Sequence, residues 1–192
     1  MVVEDLPHPH VSHAHLSFRH PMTPSINERE FRNAMANLVF SVAIVTAKWS
    51  DEEIGRTVTS FMPLSAVPPR IMISIDARSR LIDVIGASRR FSISFLDPHN
   101  EAVGDAFAGK GHQNDRFATA DWDCWPSGNR KLVGACLSLD CELSGSLDAE
   151  DHIVFVGTIV EADASSDAPA LLWTNRSYRY IARDRINDNS GA

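Results

Sequence analysis

Apolar residues recur along this chain with a period of two, in short bursts separated by polar turns. Ile71, Ile73 and Ile75 alternate with Met72, Ser74 and Asp76, and Phe91, Ile93 and Phe95 alternate with Ser92 and Ser94. Successive side chains of a strand point to opposite faces, so each run predicts a strand with one buried side. Val133, Ala135, Leu137, Leu139, Cys141 and Leu143 continue the pattern as one long half-buried strand, and Ile153 to Val160 predicts another. Val39 to Ala47 and Ile54 to Phe61 read as two more, joined through the charged turn Asp51-Glu52-Glu53.

Helical spacing is rarer. Ser25 and Glu28 form a capping-box pattern ahead of Phe31, Met35 and Leu38, which predicts a short amphipathic helix. Ser79 can cap a helix carrying Leu81, Ile82 and Ile85 and ending near Gly86. Asp97-Pro98 is a helix start, with Val103 and Phe107 on its buried side. Gly109 to Asn114 follows as a polar loop. Many strands, few peripheral helices and no βαβ rhythm predict a mainly β chain, an antiparallel Greek-key barrel rather than a parallel sheet. A Gly-x-Gly-x-x-Gly fingerprint is missing, which argues against a dinucleotide fold of that kind.

With 192 residues, the chain is long enough for one domain with a sizeable core. Its net charge of -7 argues against a dedicated nucleic-acid surface, which needs a basic footprint. No apolar run reaches membrane-spanning length, and no basic region precedes an apolar stretch at the start. The expected location is therefore cytoplasmic. Residues 1–24 hold five of the eight histidines (His8, His10, His13, His15, His20) and four prolines without apolar periodicity, and are expected to be a disordered tail. Residues 25–182 form the expected domain, and residues 183–192 a polar C-terminal tail. Cys124, Cys136 and Cys141 have no metal-ligand spacing; a disulfide between Cys136 and Cys141 is not expected, and all three read as small residues in or beside a core in a reducing compartment.

The chain shows no self-evident catalytic machinery. A nucleophile elbow is missing, and His99, His112 and His152 are scattered without a metal pattern. That fits an enzyme whose reactive atom belongs to a bound organic cofactor. The best candidate for holding one is Gly55-Arg56-Thr57-Val58-Thr59-Ser60-Phe61, a hydroxyl-rich strand end. Hydroxyls and amides can donate to an anion without burying a full charge.

Taken in order, Phe31-Arg32-Asn33-Ala34-Met35, Gly55-x-Thr57-x-Thr59-Ser60-Phe61, Pro68-Pro69, Ser79, Phe91-x-x-Ser94-Phe95-Leu96, Phe107-Ala108, Arg116-Phe117, Asp151-His152 and Tyr178 resemble the flavin reductases that serve two-component monooxygenases. The resemblance spans residues 28 to 181. It implies a split-barrel, FMN-binding fold with flavin held at a homodimer interface, and NADH or NADPH reducing FMN or FAD for a separate monooxygenase. It further implies flavin contacts from Thr57, Thr59, Ser60, Phe61, Ser94, Phe117 and Tyr178, and phosphate contacts from Ser79 and Arg116. His152 would lie near the flavin ring and the nicotinamide as the catalytic residue; the plainer alternative is a strand-end histidine satisfied by Asp151. Arg56, Arg70 and Arg78 are candidates for a 2′-phosphate contact, with solvated arginines as the alternative.

Four positions depart from the family pattern, mildly at Asn100, which stands for a glutamine. Ser94 replaces an asparagine, a single hydroxyl for a two-ended amide. Arg176 is shifted by one place between Trp173 and Tyr178, and Glu150 replaces the glycine before Asp151-His152. Other readings of the same fold are a flavoprotein that retains its FMN, as an oxygenase or electron carrier, and a non-enzymatic flavin-binding module.

Overall fold

The computed structural model describes residues 14–15, 25–110, 116–165 and 168–181, and the protein they form is mainly β with a few short helices. Apart from the backbone of Ala14–His15 (β1), the expected tail over residues 1–24 and the polar terminus over 183–192 lie outside the described residues.

The first helix, α1, is Glu28–Met35. Its capping box is built two residues later than the Ser25–Glu28 pattern predicts. Asn27 Oδ1 accepts from the Glu30 N–H and Glu30 Oε2 accepts from the Asn27 N–H, both at 3.0 Å. Two strands, β2 (Phe40–Ser41) and β3 (Ala43–Trp49), replace the single one expected from Val39 to Ala47. Next come β4 (Glu52–Val58), β5 (Phe61–Ala66) and β6 (Pro69–Asp76). Helix α2 (Leu81–Ser88) runs through Gly86 and ends where Arg89 turns left-handed at φ 58°. Strand β7 is Arg90–Phe95.

Asp97 caps the next helical stretch by accepting from the His99 N–H at 2.8 Å. A 3-10 turn over Pro98–Asn100 leads into α3 (Glu101–Asp105) and a π-helical turn over Ala106–Lys110. A hairpin of β8 (Trp122–Cys124) and β9 (Arg130–Leu132) precedes the two longest strands, β10 (Leu137–Asp148) and β11 (His152–Ala164). The long strand expected from Val133 begins only at Leu137, because Gly134 turns the chain at φ 79°. A last hairpin pairs β12 (Leu171–Thr174) with β13 (Ser177–Tyr180).

The main sheet runs β4-β3-β7-β10-β11-β6-β5, and β1 adds to β10 in parallel. Its outermost strands, β4 and β5, are consecutive in the chain and separated only by Thr59 and Ser60. Laid flat, seven strands would put those edges roughly 29 Å apart, at about 4.8 Å per gap. The link from Val58 to Phe61 spans at most about 11 Å, three Cα steps. The sheet must therefore curl until its two edges approach each other at Thr59–Ser60, although no ladder joins β4 to β5 among the described residues.

Inside the curl, Ala43, Val45 and Ala47 pack with Ile71, Ile73, Ile75, Phe91, Ile93 and Phe155, beneath Leu81, Val84 and Ile85 of α2. The alternate residues Val42 and Ile44 face a second core with Leu96, Val103, Phe107 and Leu171. Strand β3 is thus buried on both faces, which brings α3 and its π-helical extension against β4. Gly55 permits that approach: a Cβ there would lie 2.5 Å from Phe107 Cε1.

Candidate functional site

Three depressions meet around the end of β4, and Arg56 lines all of them. The first is a groove at the Thr59–Ser60 corner, lined by Thr57, Thr59, Ser60, Ser74, Asp76 and His152. The sheet's curl creates this groove, since β11 pairs with β6 in a register that sets His152 opposite Asp76. The second is a cleft of about 660 Å³ that gathers Ser79, Arg116 and Phe117 with Arg56, Arg78 and Arg80. The third is an aromatic pocket of about 280 Å³, with Tyr178, Trp173, Phe107, Asp105 and Lys110 beside Thr57 and Thr59.

Eight of the ten residues singled out in the sequence thus line these connected depressions. The other two lie in the core. Phe61 packs edge-on against Phe95 with ring centroids 4.8 Å apart. Ser94 is buried in β7, where its Oγ accepts from the Leu132 N–H and bonds the Ser138 hydroxyl, both at 3.1 Å. A serine on the face expected to be polar is tolerated there because it satisfies a neighbouring strand rather than water.

The groove hydroxyls are not equivalent. Thr57 Oγ1 donates to the Gly104 carbonyl at 2.6 Å and Ser60 Oγ donates to the Ser74 carbonyl at 2.7 Å. A hydroxyl has one proton to give, so both donors are committed. Thr59 has no hydrogen bond from its hydroxyl among the described residues and keeps its donor. Ser79 Oγ only accepts, from the Leu81 N–H at 3.4 Å. His152, with a side chain 44% exposed, sets Nδ1 3.0 Å from Asp151 Oδ1. That contact leaves Nε2 as the nitrogen available to a ligand.

Charge in the large cleft is unevenly spent. Arg78 grips Asp76 with two contacts, 3.0 and 2.7 Å, and its side chain and backbone N–H hold the Asp76 carboxyl well below the usual range. Arg80 is bound to Glu52 at 3.0 and 3.2 Å and to Asp83 at 3.4 Å. Burial pushes the Glu53 carboxyl up, but hydrogen bonds from Arg130 and Lys48 outweigh it and the group ends below its ordinary value. Arg56 and Arg116 make no ion pair among the described residues, and Arg116 Nε is buried without a hydrogen-bond partner. Two guanidinium groups with no ion pair among the described residues, beside a donor hydroxyl, suit an anionic oxygen cluster such as phosphate.

In the aromatic pocket, Asp105 Oδ1 accepts from Lys110 Nζ and from the Tyr178 hydroxyl, each at 2.8 Å. Lys110 holds Asp105 below its ordinary value, while burial, then Asp105, raises the Tyr178 phenol. Sequence reasoning missed Asp105 and Lys110. They are five residues apart, a spacing that meets on the π-helical turn and not on an α-helix. Arg80 was missed as a lining residue although it adjoins Ser79. Among the described residues no group of three or more potential ligands could hold a metal ion.

Comparison with known proteins matches residues 35–182 to the flavin reductase like domain. The reductase component of 4-hydroxyphenylacetate 3-monooxygenase from Thermus thermophilus is 30% identical over 151 residues, 79% of this chain and 95% of that protein. An FMN reductase (NADH), RutF, from Agrobacterium fabrum is 29% identical, over 79% of this chain and 87% of its own length. Among solved structures, the NADH:FAD oxidoreductase SgcE6 of Streptomyces globisporus, in complex with NAD and FAD fragments, superposes with a TM-score of 0.77 at 25% identity, over 85% of this chain and 99% of that one. The chain therefore belongs to the flavin reductase like domain family.

Proposed function

We propose that this protein is an NAD(P)H-dependent flavin reductase that passes reduced flavin to a separate monooxygenase. The observation that carries this reading is the convergence, at one corner of the curled sheet, of an uncommitted hydroxyl, a half-exposed histidine and two guanidinium groups without an ion pair among the described residues. Relatives of this chain are named as an FMN reductase (NADH) and as a monooxygenase reductase component, which points the same way.

When bound, flavin supplies the acceptor for a hydride from the dihydronicotinamide. The protein's part is to bind and orient. Thr59 donates to the flavin in the groove, and Ser79 and Arg116 hold its phosphate. His152, its Nδ1 engaged by Asp151, would offer Nε2 to the nicotinamide. Thr57, Ser60, Phe61 and Ser94 hold the strands that carry these groups. Phe117 and Tyr178 wall the neighbouring cleft and pocket.

In this reading residues 25–182 form the reductase domain, a Greek-key split barrel in which the approach of β4 and β5 supports closure of the curl. Residues 1–24, of which Ala14–His15 add to the main sheet as β1, and residues 183–192 flank that domain in the sequence. The working unit is a homodimer, supported by the exposed apolar side chains of Phe31, Met35, Leu38 and Val39. The free thiols of Cys124 and Cys141 are consistent with a reducing, cytoplasmic setting. Among the described residues no helix is long and apolar enough to cross a membrane.

The test is anaerobic mixing of purified protein with NADH, NADPH and added flavin, following loss of flavin absorbance. Catalytic bleaching of a stoichiometric excess of flavin is the expected result. A protein that carries its own yellow chromophore and reduces no added flavin would overturn the reductase reading in favour of a retained prosthetic group.

A further inference from the structure

The named relatives differ in the flavin they use, FMN for one and FAD for another, so membership of the family does not say which flavin this chain takes. The large cleft does. A monophosphate seated on Ser79 and Arg116 would leave most of its 660 Å³ to water, a volume in the range of pockets that enclose an entire small ligand. The lining beyond Ser79 is also unlike a simple phosphate cradle. Arg78 and Arg80 are neutralised by Asp76, Glu52 and Asp83, so they add little net charge for a second anion. Their flat guanidinium planes stay accessible, with the Arg78 side chain 90% exposed. Phe117 lines the same cleft, its ring fixed edge-on against Phe107 and Trp122 at 5.1 and 5.2 Å. Guanidinium planes and a fixed aromatic ring are surfaces on which a purine stacks.

We propose that this cleft takes the adenylate half of a flavin dinucleotide, so that FAD, rather than FMN, is the substrate the chain selects. The proposal rests on the flavin reductase reading above. In it the pyrophosphate spans Arg56 and Arg116, which make no ion pair among the described residues, and the adenine lies against Phe117 and the plane of Arg78. No covalent step is involved; the cleft contributes binding alone.

Equilibrium titration of the full chain with riboflavin, FMN, FAD and ADP, read by calorimetry, tests this without turnover. FAD should bind about tenfold or more tightly than FMN, and ADP should displace FAD competitively. Phe117→Ala and, independently, the exposed Arg78→Ala should each lower the FAD-to-FMN affinity ratio at least about threefold. Arg78→Ala removes no buried side chain and keeps the test open if the aromatic variant folds poorly. Equal affinity for FMN and FAD, or no displacement by ADP, would overturn the proposal while leaving the reductase reading intact. Binding of no flavin at all would sink both.

Discussion

Thr57 Oγ1 donates to the Gly104 carbonyl at 2.6 Å, pinning the end of β4 to the end of α3. Gly104 has no space for a side chain, since a Cβ would lie 2.8 Å from the Tyr178 hydroxyl. That hydroxyl in turn donates to Asp105. Strand, helix end and last hairpin therefore meet over two residues, and Thr57 is expected to serve the scaffold more than the ligand. Thr57→Val keeps the shape and removes the donor, at an expected cost of about 0.5–1.5 kcal/mol. The urea midpoint should fall while the flavin KM stays near wild type. A raised KM with unchanged stability would place the Thr57 hydroxyl on the flavin instead.

Thr59 and Ser79 should behave in the opposite way. Neither donor is spent among the described residues, so each is available for ground-state bonds to the flavin. Thr59→Ala or Ser79→Ala should raise the flavin KM by a few-fold to about tenfold, with kcat close to wild type, as loss of uniform binding requires. Steady-state kinetics with flavin varied at saturating NADH separates the cases. A fall in kcat at constant KM would contradict the binding role.

His152 should fall on a different kinetic axis. It lies in the groove with Thr59 and Ser60, and its Nδ1 is engaged by Asp151. His152→Ala is expected to lower kcat or raise the nicotinamide KM, with flavin affinity little changed. If both nicotinamide parameters match wild type, His152 is only a strand-end residue held by Asp151.

How much of this was legible in the sequence depended on whether local pattern and tertiary environment agreed. Ile71, Ile73 and Ile75 are buried as their alternation predicts. Ser92 and Ser94 break the rule: they lie on the supposedly wet face of β7, yet both are buried. Ser92 bonds the Leu139 carbonyl and the Trp125 indole N–H, and Ser94 bonds Leu132 and Ser138. No single-strand pattern can reveal that a second layer covers a face. The β12–β13 hairpin was missed because Asn175 and Arg176 turn left-handed without a glycine to signal it. In the site, the hydroxyl cluster was visible because its residues are contiguous. Arg56, Arg78 and Arg116 were singled out one by one, but their meeting with Arg80 in one cleft was not visible, because it joins residues 56, 78, 80 and 116 only after the sheet curls.

Stability should fall away at both ends of the pH scale. Asp76 is held down by Arg78, Asp105 by Lys110, and Glu53 by Arg130 and Lys48 against the opposing effect of burial. A depressed folded value means stability that is present above the unfolded value and lost as pH falls through the folded one. With ordinary values of 4.5 and 3.8, the acid limb should begin below pH 4.5 and steepen below 3.8. Tyr178 has the other sign. Its phenol is raised above 10.0 by burial and by Asp105, so stability is lost as pH climbs beyond 10.0. Thermal melts across both ranges should show the alkaline loss reduced in Tyr178→Phe; an unchanged alkaline limb would remove Tyr178 from that account.

Helix α1 should mark the contact between two copies of the chain. None of its residues is buried, and Phe31, Met35, Leu38 and Val39 are 53%, 38%, 47% and 61% exposed. Its position is nonetheless fixed, because the Asn175 N–H donates to the Ala36 carbonyl at 2.8 Å and Arg176 Nη2 to Asn33 Oδ1 at 2.7 Å. A fixed helix with its apolar side chains in water forgoes about 1.5–3 kcal/mol for each large side chain that could be buried. A twofold partner recovers that energy on both copies at once, since an isologous contact uses the same patch twice. Light scattering at micromolar concentration should give twice 21.2 kDa. Phe31→Asp and Met35→Asp should shift the mass toward 21.2 kDa and weaken flavin binding in step, as expected if each groove is completed by the other copy. A wild-type protein that scatters as a single chain would dismiss the dimer, and a monomeric variant with full flavin affinity would separate assembly from the site.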